Sequence, residues 1–234
     1  MFKTRAISDG IMFDSSHAQL PYIVRGVSQV ELALEADQHH VGMVALGRVE
    51  LDDEHGSIRL EPGMFFSLGE SLLRPATEDA KVCVISAPFY KGLRQFGGPL
   101  EMSGRLRYVD GCSDTLLLGP SRKGEPCLNH LHIPAYVNQR LHFHPSDRVG
   151  IIFGGHGVCC TEFGESELNP ATCWHIPAGM NHNFKTESQH LDVITWHPDS
   201  DFGPSDENHP MINRTWVRQN ILRADRESCE AHQI

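Results

Sequence analysis

Short apolar stretches, bounded by glycine, proline, aspartate and glutamate, recur along nearly the whole chain. Within them the residues alternate between apolar and polar, or are apolar throughout, which is typical of β-strands. The predicted strands of the first half cover residues 22–34, 41–46, 57–60, 64–68 and 81–86. Those of the second half cover residues 105–109, 115–118, 128–132, 136–144, 149–153, 173–176 and 191–196. The pattern predicts an all-β protein with many turns.

The strand pattern of the first half repeats in the second. Residues 39–47 align with residues 147–155 at an offset of 108 (149 minus 41), and residues 62–69 fall on residues 170–177 at the same offset. A repeat of this length indicates a duplicated domain, because solenoid repeats are about 20–50 residues long.

The connector between the repeats divides the chain. Residues 88–104 contain Gly97-Gly98-Pro99 and lack a clear period, so we expect the connector there. The predicted units are a first domain over residues 1–98, a second domain over 99–203 and a tail over 204–234. Within the tail a helix is predicted over residues 214–233, with apolar anchors at Trp216, Val217, Ile221 and Leu222.

Two histidines one residue apart give the second half its chemistry. If residues 141–144 form a strand, His142 and His144 lie on one face and Phe143 lies on the other. A turn segment, residues 176–181, precedes a third histidine, His182, and can bring it to the same place from a neighbouring strand. Three imidazoles suit Fe(II), Zn(II), Cu(II), Ni(II) or Mn(II). The pattern predicts one mononuclear metal site.

These two segments resemble the paired motifs of the cupin superfamily, small β-barrels in which the motifs surround a metal. The first motif reads His142-Phe143-His144-Pro145-Ser146-Asp147-Arg148 and runs on to Gly155 and Gly157, and the second reads Pro177-Ala178-Gly179-Met180-Asn181-His182-Asn183. The resemblance implies two cupin barrels, of the double-stranded β-helix or jelly-roll type, in one chain. It also implies that His142, His144 and His182 are the metal ligands.

One position departs from the cupin pattern. Where many cupins carry a further glutamate ligand this chain has Arg148, and a guanidinium stays protonated and cannot bind a metal. Asp147 would add a carboxylate ligand only if a bulge turned it inward. We therefore expect a neutral three-histidine site.

The first half lacks such ligands. At the offset of the repeat, its three ligand positions are occupied by Leu34, Ala36 and Arg74, none of which binds a metal. We expect a structural first barrel and a second barrel with one divalent metal per chain, Fe(II) being favoured and Zn(II) next.

Strand alternation also predicts the neighbours of the metal. If His142 and His144 face inward, so do Arg140, Asn138 and Tyr136 on the same strand. An inward Arg140, joined by Arg148, would hold an anionic group of a substrate such as a carboxylate. The alternative is an internal ion pair, with Asp147 or Asp192 as the counter-ion of the arginine.

Further candidates lie on the neighbouring strands. His130 and His132 share a face, so one of them is a candidate base or orienting group, although a hydrogen-bonded structural histidine is the commoner case. Gly150 is expected to leave open volume for a cavity. The predicted catalytic residues are Arg140, Tyr136 and His132, and the predicted substrate-binding residues are Arg140, Asn138, Arg148 and His130.

Three classes of function fit such a site. The first is a non-haem Fe(II) oxygenase of a small carboxylate-bearing metabolite, as in the three-histidine cupin dioxygenases that the site resembles. The second is a non-redox Zn(II) enzyme, an isomerase, a lyase or a hydrolase. Residues 130–134 and 199–204 also resemble the zinc cupin domain of hydrazine-forming enzymes, which rearrange an amino-acid-derived substrate to form an N–N bond. The third is a non-enzymatic small-molecule binding module.

Composition and charge limit the classes of binding partner that we expect. The net charge of −10 argues against nucleic acid and anionic membranes as partners. No stretch has the roughly 18 apolar residues of a membrane span, and the first ten residues lack the apolar core of a signal peptide. Seven cysteines without CxxC spacing argue against a disulfide framework. We expect a cytoplasmic protein with a small anionic substrate, and the resemblance to cupins implies a homodimer.

Overall fold

A computed structural model describes residues 1–217 and 221–222, and nearly all of their regular secondary structure is β-strand. The strands of the first half are β1 (Lys3–Ala6), β2 (Gly10–Ser15), β3 (Tyr22–Val27), β4 (Leu32–Leu34), β5 (His39–Leu46), β6 (Val49–Asp53), β7 (Gly56–Leu60), β8 (Phe65–Leu68), β9 (Ser71–Pro75), β10 (Lys81–Ala87) and β11 (Gln95–Gly97). Those of the second half are β12 (Leu106–Arg107), β13 (Ser113–Leu118), β14 (Cys127–Ile133), β15 (Arg148–Gly155), β16 (Gly157–Thr161), β17 (Gly164–Leu168), β18 (Thr172–Ile176), β19 (His182–Lys185) and β20 (Leu191–His197). A short 3₁₀ helix covers Val109–Gly111.

Each half of the chain builds a barrel from two antiparallel sheets. In the first barrel, a six-stranded sheet with the order β11-β8-β5-β10-β3-β2 faces a four-stranded sheet with the order β4-β9-β6-β7. In the second barrel, a seven-stranded sheet with the order β1-β18-β15-β20-β14-β13-β12 faces a three-stranded sheet, β17-β16-β19. The predictions of an all-β protein and of two barrels are confirmed.

Three groups of buried apolar side chains follow from the alternation of strand residues between faces. On β10, Val82 and Val84 point into the first barrel, whereas Cys83 and Ile85 point away from it. The outward-pointing residues of the two large sheets meet in what we call the shared core. Its members are Ile7, Met12, Phe13, Tyr22, Val24, Val41, Met43, Ala45, Phe65, Cys83, Ile85, Ala87, Leu118, Leu128, Val149, Ile151, Cys173, Ile194 and Trp196. The two barrels are therefore packed face to face through their large sheets.

The first strand does not stay with the first half. The residues of β1 pair in antiparallel register with β18, from Lys3 opposite His175 to Ala6 opposite Thr172. Phe2 is buried with the interior of the second barrel. The predicted first domain, residues 1–98, is corrected in this respect: the free edge of β18 accepts the first strand, and the chain returns to the first barrel with β2.

The tail differs from its prediction. A single helical turn, α1 (Pro210–Asn213), precedes the stretch for which a helix was expected. Within that stretch, β21 (Trp216–Val217) pairs with β22 (Ile221–Leu222) as an antiparallel hairpin, so the prediction of a helix there is wrong. β-Branched and aromatic residues favour this extended pairing. The other residues of the predicted helix beyond 217 lie outside the described part of the chain.

Within the described residues, no helix has the length and apolar character that crossing a membrane requires.

Candidate metal centre

The first two histidines lie on an extended segment between β14 and β15 rather than on a regular strand. This segment touches its neighbour through two isolated bridges, Asn138 with Lys185 and His142 with His182. The amide nitrogen of His142 lies 3.0 Å from the carbonyl oxygen of His182, and the reverse bond measures 2.8 Å. The bridge brings the first and third histidines side by side, as the sequence predicted.

The three imidazoles converge on one point. One ring nitrogen from each of His142, His144 and His182 lies within 4.8 Å of the other two. Their ring centroids are 4.6 to 5.2 Å apart. Within the described residues this is the one cluster of three or more histidine, cysteine or carboxylate groups that could hold a metal ion.

Backbone carbonyls orient two of the rings. His142 Nδ1 lies 2.8 Å from the carbonyl oxygen of Arg140, and His182 Nδ1 lies 2.9 Å from that of Met180. A carbonyl only accepts, so each Nδ1 carries the proton and donates it. The lone pair is thereby placed on Nε2, which is the usual state of a histidine that binds a metal.

The surroundings keep His144 and His182 uncharged. Burial, followed by the positive charge of Arg148, lowers the pKa of His144 to about 3. Burial also lowers the pKa of His182 to about 4, although its bond to the carbonyl of Met180 works in the opposite direction. Neutral imidazoles are the form that coordinates a metal, so these residues fit a divalent cation.

A tight turn holds the third histidine. The amide of Met180 donates to the carbonyl of Pro177 at 3.2 Å, and Gly179 adopts a φ of +73°, which favours glycine. The amide of Gly179 donates to the carbonyl of His144 at 2.8 Å. The turn before His182 is therefore tied directly to the segment that carries the other two histidines.

Asp147 faces away from the histidines. Its Oδ2 accepts hydrogen bonds from Tyr22 Oη at 2.7 Å and His175 Nε2 at 3.1 Å, and its Oδ1 accepts one from the amide of Ala178 at 2.9 Å. Burial alone would raise the pKa of Asp147, but these hydrogen bonds hold it at about 2. The carboxylate is fully engaged, so it does not supply a fourth ligand.

A cavity of about 230 Å³ adjoins the three histidines. Its polar walls, besides the histidines, come from β12 to β15 and β20, and its apolar walls come mainly from β18 and β19. They are Leu106, Arg107, Tyr108, Asp114, Asn129, Leu131, Arg148, Trp174, Ile176, Phe184, Thr195 and His197. The cavity was expected at Gly150, but a Cβ there would lie 1.8 Å from the carbonyl oxygen of Ile194. That glycine allows β15 to approach β20 closely and does not create the open volume.

Arg148 is buried in the wall of this cavity, with 8% of its surface exposed. Its Nη1 donates to the carbonyls of Ser146 and Asp147 at 3.0 Å and to Ser146 Oγ at 2.8 Å. Its buried Nε has no hydrogen-bond partner, and in the described part of the chain no carboxylate oxygen lies within 4.0 Å of the guanidinium. A buried cation without a counter-ion is costly, so this guanidinium could pair with an anion.

Arg140 does not face the metal site, so its predicted orientation is wrong. Its side chain is 79% exposed, and its Nε donates to Asp110 Oδ1 at 2.8 Å. Asn138 and Tyr136 are also exposed, and Tyr136 lies in a turn with a φ of +61°. The expected polar wall from this strand is therefore absent among the described residues.

A bulge explains why the alternation failed. Gln139 pairs with Phe184, and His142 pairs with His182. The first segment advances three positions between these pairs and its neighbour advances only two, so the first segment has one extra residue. The extra residue moves each side chain that precedes it to the opposite face of the segment. Gln139 is consequently buried, and Arg140 points to solvent.

His130 and His132 lie on the opposite face of β14 from the cavity, so their predicted place beside the substrate is wrong. Both contact Asp192 Oδ1, at 3.0 and 2.8 Å, and His190 contacts Asp192 Oδ2 at 3.1 Å. The residues of β14 that do reach the cavity are Asn129 and Leu131. The prediction that His130 and His132 share a face is confirmed, but the face of β14 that points into the second barrel is the one that carries Asn129 and Leu131.

Sequence reasoning missed several polar residues of the cavity. Asn129 Nδ2 donates to Asp114 Oδ1 at 2.7 Å, and burial raises the pKa of Asp114 despite that bond. Thr195 and His197 share the inward face of β20, and burial lowers the pKa of His197 well below its usual value. Period-two alternation groups these residues, but only the packing of the sheet identifies their face as the inner one.

Comparison with solved structures reveals the fold. A cupin 2 conserved barrel domain protein from Leptotrichia buccalis is similar over 85% of this chain and 89% of that one, with a TM-score of 0.58 and 12% identity. The putative glyoxylate induced protein from Pseudomonas aeruginosa is similar over 87% and 82%, with a TM-score of 0.59 and 12% identity. The salicylate 1,2-dioxygenase from Pseudaminobacter salicylatoxidans is similar over 76% and 70%, with a TM-score of 0.58 and 10% identity.

The fold is the cupin fold. No protein-family model matches the chain, and no curated protein matches its sequence. The structural similarity therefore carries the cupin assignment, and at 10–12% identity it concerns the fold alone. The three histidines of this chain meet as the two motifs predicted.

Proposed function

We propose that this cupin is a mononuclear Fe(II) oxygenase that acts on a small carboxylate-bearing metabolite. His142, His144 and His182 would hold one metal ion per chain, in the second barrel. In the first barrel the positions related by the repeat are Leu34, which is buried in the apolar interior, Ala36, and Arg74, which pairs with Asp52 and Glu31. Since none of them offers a ligand, the first barrel has a structural role in this proposal.

The donor set supports this choice of metal chemistry. Three neutral imidazoles without a carboxylate leave the metal its full positive charge and leave open positions for a substrate and O₂. Bound Fe(II) would supply one-electron chemistry and a binding position for O₂. The protein's own contribution is to keep His144 and His182 uncharged through burial, and to orient His142 and His182 through the carbonyls of Arg140 and Met180.

The buried guanidinium of Arg148, which has no carboxylate partner among the described residues, is the observation that carries the proposed substrate class. Arg148 lines the cavity and its Nε has no partner, so a carboxylate bound there would supply an acceptor and would offset the cost of burying the charge. One structural neighbour is, by its name, a dioxygenase of salicylate, which is also a carboxylate.

The size of the cavity limits the substrate. About 230 Å³ is below the roughly 300–1,000 Å³ of pockets for drug-sized ligands. Leu131, Trp174 and Phe184 line one part of it with apolar surface. A compact substrate with one anionic group and a small apolar body fits these walls.

Asp114 favours a second candidate, a Zn(II) enzyme without redox chemistry. A carboxyl group whose pKa is raised by burial lies in the cavity wall, where it could take up or release a proton. Isomerase, lyase or rearrangement chemistry needs such a group, and three histidines plus water also make a good zinc site.

Oxygen consumption separates the two candidates. Protein reconstituted with Fe(II) would be offered a panel of small hydroxy- and amino-carboxylates in air, and Zn(II)-loaded protein the same panel without O₂. We expect turnover only with iron and O₂, and none in a His142→Ala/His182→Ala variant. Turnover by the zinc form without O₂ would replace the oxygenase with the second candidate. Binding of a carboxylate without turnover by either form would indicate a binding module.

A further inference from the structure

The Asp147 carboxylate joins three separate parts of the chain. Asp147 lies three residues after His144. Its Oδ1 accepts a hydrogen bond from the amide of Ala178 in the turn before His182, and its Oδ2 accepts one from Nε2 of His175 on β18. The third donor, Tyr22, comes from β3 of the first barrel. The carboxylate thus connects both halves of the metal site to the other barrel.

Tyr22 is held in place by its burial, a ring contact and a hydrogen bond. It is 1% exposed and belongs to the shared core. Its ring meets Trp196 edge-on, with centroids 5.2 Å apart, and its hydroxyl lies 2.7 Å from Asp147 Oδ2. A rigid donor of this kind restricts the direction in which the carboxylate can point.

We propose that Tyr22 of the first barrel is a positioning residue for the metal centre of the second barrel, acting through Asp147 on the Ala178 turn that presents His182. Without the hydroxyl, Asp147 Oδ2 keeps only His175 as a donor, so the carboxylate gains freedom to rotate. Its Oδ1 then restrains the amide of Ala178 less well. The backbone of the turn from Pro177 to Met180 is then held less rigidly. The position of the His182 imidazole, which this turn orients, becomes less well defined. The first barrel would therefore tune the metal site although it contributes no ligand. The inference rests on the proposed metal site and extends it.

The test compares four forms of the full chain: wild type, Tyr22→Phe, Asp147→Ala and the double variant. Tyr22→Phe removes one oxygen atom and keeps the ring in the shared core. Co(II) is the probe, because its visible absorption reports both the affinity and the geometry of the site. We expect the Co(II) affinity of Tyr22→Phe to fall about tenfold, the low end of the 10–100-fold typical when an outer hydrogen-bond partner is lost. The absorption bands should also change shape.

Val24→Ala is the matched control. Val24 lies on the same strand, fully buried in the same shared core, and its apolar side chain cannot hydrogen-bond to Asp147. It should lower the melting temperature at least as much as Tyr22→Phe while leaving Co(II) affinity and spectrum unchanged. A similar loss of affinity in both variants would overturn the inference, because general destabilisation would then explain it.

The double variant tests whether Tyr22 acts on the metal site through Asp147. If Tyr22 acts through Asp147, its replacement has no further effect on Co(II) affinity once Asp147 is alanine, and full additivity would overturn the inference. Amide exchange in metal-free protein gives a second readout: the amide of Ala178 should exchange several-fold faster in Tyr22→Phe, relative to the amides of β20. Wild-type protein that binds no Co(II) would overturn the proposed function and this inference together. Equal Co(II) binding by wild type and Tyr22→Phe would overturn this inference alone.

Discussion

At the scale of residues, two arginines close in sequence have opposite roles. Arg140 is solvent-exposed and paired with Asp110, whereas Arg148 is buried beside the histidines with an unpaired Nε. The proposed anion site therefore depends on Arg148, and Arg140 serves as its internal control.

Replacing Arg148 with lysine should weaken the binding of a small carboxylate at least about tenfold, because lysine keeps the charge but loses the planar fork. A hydrogen bond to a charged group contributes roughly 1.5–3 kcal/mol, which corresponds to this range. Isothermal titration of Co(II)-loaded protein with the carboxylate measures the effect. Arg140→Lys should bind as wild type does, and equal losses in the two variants would contradict the proposed anion site.

Asp147 predicts an acid dependence of stability. Its pKa is about 2 in the folded protein, below the value of 3.8 for an unperturbed aspartate. The stabilisation is therefore present above about pH 4 and is lost as the pH falls towards 2, and it amounts to about 2 kcal/mol at 1.36 kcal/mol per unit. In metal-free protein, the difference in unfolding free energy between wild type and Asp147→Asn should shrink across this window. Urea titrations at several pH values measure it, and a constant difference would contradict the assignment.

At the scale of elements, a bulge and a turn shape the site. The bulge between Gln139 and His142 turns the histidines inward while Arg140 faces solvent. The turn before His182 depends on Gly179, which adopts a φ of +73°. Both elements are irregular, and each re-aims side chains that a regular strand would place elsewhere.

Gly179→Ala should destabilise the protein by about 1 kcal/mol and weaken Co(II) binding, since an L-residue in the left-handed region costs roughly 1–2 kcal/mol. A Cβ there would meet no atom within 4 Å, so the backbone angle alone causes the loss. Gly69→Ala is the control, because that glycine also has open space around it and no positive φ. Chemical unfolding and Co(II) titration measure both effects, and equal behaviour of the two variants would contradict this role of the turn.

At the scale of the whole molecule, the shared core makes the two barrels one structural unit. Cys83 of the first barrel and Cys173 of the second lie with their sulfur atoms 3.5 Å apart in this core. β1 adds a second link, because it pairs with the seven-stranded sheet before the chain enters the first barrel. The metal site therefore rests on packing contributed by both halves.

Ile194→Ala should lower the stability of both barrels together. Ile194 is fully buried in the shared core, and truncation of such a residue costs about 2–5 kcal/mol. We expect one cooperative calorimetric transition in wild type and variant, shifted to lower temperature in the variant. Two separate transitions, only one of them shifted, would show that the barrels unfold independently.

Local patterns determined much of this protein. Alternation and turn residues predicted an all-β chain, and the repeat predicted a duplicated domain, because strand formation and domain duplication leave periodic signals in sequence. The spacing of His142 and His144 predicted that they share a face, because local strand geometry determines it, and the resemblance of the two motifs to cupins implied that His182 joins them.

The tertiary structure alone decided the surroundings of that cluster. Period-two alternation grouped His130 with His132, and Arg140 with Asn138, but one face of a strand is identified as inner only by the sheet that covers it. The bulge before His142 follows from pairing with the neighbouring strand, and it turned Arg140 to the opposite face from the one that alternation predicts. The hydrogen bond from Tyr22 to Asp147 joins residues that are 125 positions apart in sequence. It therefore arises from the packing of two sheets and not from any local pattern.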